Sequence, residues 1–108
     1  MIGHVGDAND TSYALTLLKT GCYVAVDRIA PHNATFATEL VKAGCEDRIF
    51  LSHDHICCRD NVLESVSQGE PYGLDAVHSR VLPEMRTLGV TEETLRKITV
   101  ENVCHLFG

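Results

Sequence analysis

Three short clusters hold the residues best able to bind a cation or move a proton: His4 with Asp7, Asp27 with Arg28, and the run His53-Asp54-His55. Imidazole nitrogen and carboxylate oxygen together suit zinc or a similar divalent ion, and a catalytic site holds fewer protein ligands than a closed structural one. Spacing alone leaves a plainer role open for each. His4 can be solvated or cap a helix, Asp54 can cap a helix or a turn, and Asp27 beside Arg28 reads as a surface ion pair of little energetic worth. Cys57 and Cys58 have no partner pair at zinc-finger spacing, so packing explains them better than a metal–thiolate site. His32, His55, His78 and His105 show no recurring spacing and receive no assignment.

What gives the clusters a common address is the pattern of elements before them. Ile2 to Val5 reads as the end of a strand that delivers His4 into a loop. Cys22 to Val26 and Arg48 to Ser52 are short apolar runs of the kind buried on both faces of a sheet, and they run directly into Asp27-Arg28 and His53-Asp54. Between them, Asp7, Asn9 and Asp10 are turn and N-cap residues ahead of a helix carrying Tyr13, Leu15, Leu17 and Leu18, and Ala34 to Ala43 forms a second helix that stops at Gly44. The polar stretch from Cys57 to Gly73 reads as a lid loop. Leu74 to Leu88 follows as a helix bent or restarted at Pro83, then a helix capped by Thr91, then a last one beginning at Thr99. Strand alternating with helix implies parallel strands joined by right-handed crossovers. In a parallel α/β barrel all such strand ends share one rim, so the three clusters converge.

The chain has 108 residues, room for one modest domain over 1–108 and no more. A hydrophobic share of 44% against 22% charged excludes disorder as the main state. Nine Lys and Arg against fifteen Asp and Glu leave a net charge of -6, with no basic run to follow a phosphate backbone, so neither nucleic acid nor an anionic membrane is an expected partner. With no signal-type segment and five cysteines in no CxxC arrangement, the expectation is a cytoplasmic protein with reduced, mostly buried thiols.

The order Ile2-Gly3-His4-Val5-Gly6-Asp7, then Val26-Asp27-Arg28, then Leu51-Ser52-His53-Asp54, followed by Leu88-Gly89-Val90-Thr91 and Ile98-Thr99-Val100-Glu101-Asn102, resembles the carboxyl-terminal portion of the phosphotriesterase family, in its lactonase-like branch of the amidohydrolase superfamily. The resemblance implies an α/β fold comprising about strands 6 to 8 of a (β/α)8 TIM barrel, incomplete on its own, whose sixth, seventh and eighth strands end at His4, Asp27-Arg28 and Asp54. It also implies two zinc ions, one held by His4 and the other by Asp54, which takes a proton from the attacking hydroxide as well. Asp7 corresponds to an acid that carries protons away, and Arg28 to a position facing the substrate, a lactone, ester or organophosphate triester. The family's remaining ligands lie on earlier strands than those present here. Expected partners are therefore a second copy or a complementing N-terminal barrel segment, and the isolated chain is expected to be inactive. The competing reading is a non-catalytic module that binds metal weakly or binds a protein partner.

Overall fold

The apolar runs pair as parallel strands. The structure, a computed structural model, describes residues 1–54 and 73–108. Strand β1 is Val24–Val26 and β2 is Ile49–Leu51, in parallel register with Val24 opposite Ile49 and Val26 opposite Leu51. Ile2 makes an isolated parallel bridge to Val24 on the other side of β1. Its amide donates to Tyr23 O at 2.8 Å, and its carbonyl accepts from Ala25 N at 2.8 Å. Three parallel segments thus lie side by side, and all three run toward the same edge. Every residue of β1 is buried, as its apolar sequence requires for a strand covered on both faces.

Helix α1, Thr11–Lys19, starts where Asp10 accepts from Tyr13 N at 3.0 Å, which picks the cap out of the three turn residues ahead of the helix. Helix α2, Asn33–Lys42, buries Phe36, Ala37 and Leu40, and Gly44 ends the segment at φ +78°, a conformation that costs glycine little. Phe36, Leu40, Val24, Val26, Ile49, Met85 and Ile98 belong to one core, each contributing about 1.5–3 kcal/mol if its burial is complete.

Beyond residue 73, a π-helical turn at Val77–Val81 leads into α3, Leu82–Thr87, with Pro83 in its first turn, where no intrahelical N–H is needed. The helix does not restart at that proline, as the sequence left open: Val81 and Leu82 are both right-handed helical, and what changes just ahead of Pro83 is the winding, from π to α. Helix α4, Glu92–Arg96, is capped by Thr91, which accepts from Thr94 N at 3.2 Å. Thr99 does not begin a separate helix. A π-helical turn, Lys97–Glu101, joins α4 to the last helix α5, Asn102–Phe107, and the Thr99 hydroxyl donates back to Leu95 O at 2.7 Å. The expectation of buried thiols also fails among the described residues: Cys22, Cys45 and Cys104 are free, but the first two are half-buried and the third is exposed. His55, Cys57, Cys58 and the lid reading from Cys57 to Gly73, Gly73 itself excepted, lie outside the described residues.

Candidate metal centre

Each of the three parallel segments ends on a residue forced into left-handed backbone: His4 at φ 61°, Arg28 at φ 51° and Asp54 at φ 42°. Non-glycine residues pay of order 1–3 kcal/mol for such geometry, and it gathers where a side chain must be aimed. Here the aim is mutual. His4 Nδ1 lies 2.8 Å from Asp27 Oδ1 and 3.6 Å from Asp54 Oδ2. The same Asp27 Oδ1 accepts the His4 backbone amide at 3.0 Å. One atom from each of His4, Asp27 and Asp54 falls within 4.8 Å of the others.

Arg28 completes the rim. Its Nε donates to Asp54 Oδ2 at 3.1 Å and its Nη1 to Asp7 Oδ2 at 3.2 Å, so a single planar guanidinium spans two carboxylates from different loops. The hydrogen bond to Asp54, then that to Asp7, raises the guanidinium above its ordinary value, while partial desolvation opposes them. It stays charged throughout the range in which proteins work. The surface ion pair expected between Asp27 and Arg28 is therefore absent: these neighbours diverge, Asp27 turning inward to 6% exposure and Arg28 outward to Asp54 and Asp7.

The loops beneath are tightly fixed. Asn33, 1% exposed, accepts from Ala30 N at 2.7 Å and donates to Asp27 O at 3.3 Å, closing the turn that presents Asp27 and Arg28. His32 Nε2 lies 2.8 Å from Gly6 O and so ties that turn to the His4–Asp7 loop. A Cβ on Gly6 would stand 2.9 Å from Asn33 Nδ2 and 3.2 Å from Val26 Cγ1, so the loop can sit this low only with glycine there. His53 does not share the direction of Asp54: its Nε2 accepts from Val77 N at 3.2 Å and its ring stacks with His78.

The structure brings together the four residues to which the resemblance gives roles, His4, Asp7, Arg28 and Asp54, and with them Asp27 from the same strand-end clusters. The contacts of Asn33, His32 and Gly6 are additions that no spacing in the sequence marked. The His4 imidazole and the Asp54 carboxylate are donors that fit a divalent cation of the zinc type, with Asp27 close to both, and the partial exposure of His4 and Asp54 leaves it an approach from solvent.

The phosphotriesterase family model matches residues 1–107. The "Phosphotriesterase homology protein" of Mycobacterium tuberculosis is 31% identical over 117 residues, covering 99% of this chain and 36% of the relative. An "Aryldialkylphosphatase" of Saccharolobus solfataricus is 26% identical over 121 residues, covering all of this chain and 38% of the relative. The solved structure of the phosphotriesterase from Mycobacterium tuberculosis superposes with a TM-score of 0.87 at 30% identity, over 98% of this chain and 36% of that one. The chain therefore spans little more than a third of the length of these relatives. It corresponds to their carboxyl-terminal portion, and its parallel ladder with flanking helices is a partial TIM barrel.

Proposed function

The chain belongs to the phosphotriesterase family, and on that footing we propose that it forms the carboxyl-terminal part of the active site of a zinc-dependent hydrolase of lactones, esters or organophosphate triesters. The observation that carries the reading is the convergence of His4, Asp27 and Asp54 at three consecutive strand ends, with Arg28 bridging Asp54 to Asp7. His4 and Asp54 would hold the metal, two zinc ions once donors from the rest of the barrel complete the shell. A divalent cation at this rim supplies Lewis acidity, lowering the pKa of water and polarising a carbonyl or phosphoryl oxygen.

The chain's own side chains do the rest. Asp54 accepts the proton of the attacking water, a role open to a carboxylate whose side chain is partly exposed. Asp7 lies on the far side of Arg28 and takes the proton onward. Arginine cannot relay it by deprotonation, so Arg28 holds the two carboxylates in place and offers its remaining N–H groups to the polar end of the substrate.

With about a third of the relatives' length and two of the metal ligands, the isolated chain is expected to hold zinc weakly and not to turn over, and to require a complementing N-terminal barrel segment or a second copy. The test is to graft residues 1–108 in frame behind the first five strands of a related barrel, then measure initial rates on a lactone and an aryl phosphotriester while counting bound metal. The graft should hydrolyse one of them in a metal-dependent manner, and Asp54→Asn should lower turnover by roughly 10²-fold or more. Undiminished activity in Asp54→Asn would overturn the assignment.

A further inference from the structure

Asp27 sits among the three groups close enough to share an ion, yet its contacts fit a different task. Its Oδ1 already accepts the backbone amide of His4 at 3.0 Å, so the oxygen that faces the ring at 2.8 Å is acting as an acceptor. A proton on His4 Nδ1 completes that contact, and a ring carrying its proton on Nδ1 has its lone pair on Nε2. Among the described residues no hydrogen bond engages Nε2, and the His4 side chain is 45% exposed while that of Asp27 is only 8% exposed. Asp27 therefore engages the ring through Nδ1, Asp54 Oδ2 stands farther from that same nitrogen at 3.6 Å, and Nε2 is left without a hydrogen-bond partner among the described residues.

We infer that Asp27 is a positioning residue, not a metal ligand: by gripping both the amide and Nδ1 of His4 it selects the Nδ1–H tautomer and presents Nε2 to a divalent cation. The inference rests on the metal-holding role proposed for His4. Carboxylates behind ligating histidines act in this way, fixing the ring and raising its basicity, and their loss costs about 10–100-fold in metal affinity. The left-handed backbone of His4 is what folds its own amide onto the same oxygen.

The tautomer can be read with no metal and no substrate. Long-range ¹H–¹⁵N correlation on the labelled 108-residue chain, at mildly alkaline pH where imidazoles are neutral, should show His4 with a protonated Nδ1 and a bare Nε2. An unconstrained imidazole prefers the opposite form. Zinc should then shift Nε2 and leave the Nδ1 proton in place. Asp27→Asn should erode the bias and weaken zinc binding by about 10–100-fold, while Asp54→Asn should leave the tautomer unchanged. A majority of Nε2–H at His4 in the unsubstituted chain, or zinc bound at Nδ1, would overturn the inference. Zinc that moves neither nitrogen would instead overturn the metal-holding role of His4, a result independent of the tautomer.

Discussion

At the scale of single residues, Arg28 and His4 should separate by what they lose. Arg28 donates to the ligand Asp54 but has no lone pair to offer a cation, so in the grafted barrel Arg28→Ala should keep most of its metal and lose turnover by roughly 10²-fold, the scale for removing one preorganised donor. Arg28→Lys should not restore it, because an ammonium cannot present two fixed N–H vectors to Asp54 and Asp7 at once. His4→Ala, in contrast, should lower both metal content and rate, and metal analysis alongside initial rates distinguishes the two patterns. Retained metal in His4→Ala would remove it from the ligand set. The candidates His4, Asp7, Arg28 and Asp54 were legible from sequence because each follows or closely trails an apolar run. The task of Asp27 was not, since its neighbour in the chain offers an obvious charge partner and only the backbone turn at Arg28 shows that the two side chains part.

At the scale of elements, the strand-end loops should be as sensitive as the rim they hold up. Asn33→Ala leaves the Ala30 amide and the Asp27 carbonyl without their side-chain partner, a loss of about 1–3 kcal/mol that a shift in denaturant midpoint would show. Gly6→Ala should cost a similar ~1–3 kcal/mol by pushing its loop off Asn33 and Val26. If Gly6→Ala were neutral, the close approach would not be holding the loop. The turn at Lys97–Glu101 carries a pH-dependent tie: Lys97 Nζ donates to Asp47 Oδ1 at 2.8 Å and holds that carboxyl below its usual 3.8. A depressed carboxyl stabilises the fold above its unfolded value and loses that contribution as pH falls through the folded one. The small gap in melting temperature between the protein and Asp47→Asn should therefore be present at neutral pH and close below about pH 4. Strands and capped helix starts were readable in the chain because Asp10 and Thr91 sit directly before apolar periodicity. The π-helical joint was not, since Thr99 looks like a cap and instead bonds backward to Leu95.

At the scale of the molecule, the relatives supply the context that the described residues lack. A three-segment parallel ladder with β1 in its centre leaves backbone groups on its outer segments to be satisfied elsewhere, and the chain covers 36% of the relative from Mycobacterium tuberculosis. Thermal unfolding of the isolated chain should accordingly be broad, and should sharpen and move upward when a segment carrying the earlier strands of a related barrel is added. Calorimetry with and without that segment checks it, and a sharp transition unaffected by the addition would count against complementation. The three left-handed residues at the rim also set the terms on which this molecule can vary. Glycine is the replacement that relieves the backbone most fully at positions 4, 28 and 54, and it also removes all of the side-chain chemistry there. Selection for heat resistance alone should then enrich glycine at the very positions where selection for turnover forbids it, so the two regimes would pull the same three codons in opposite directions.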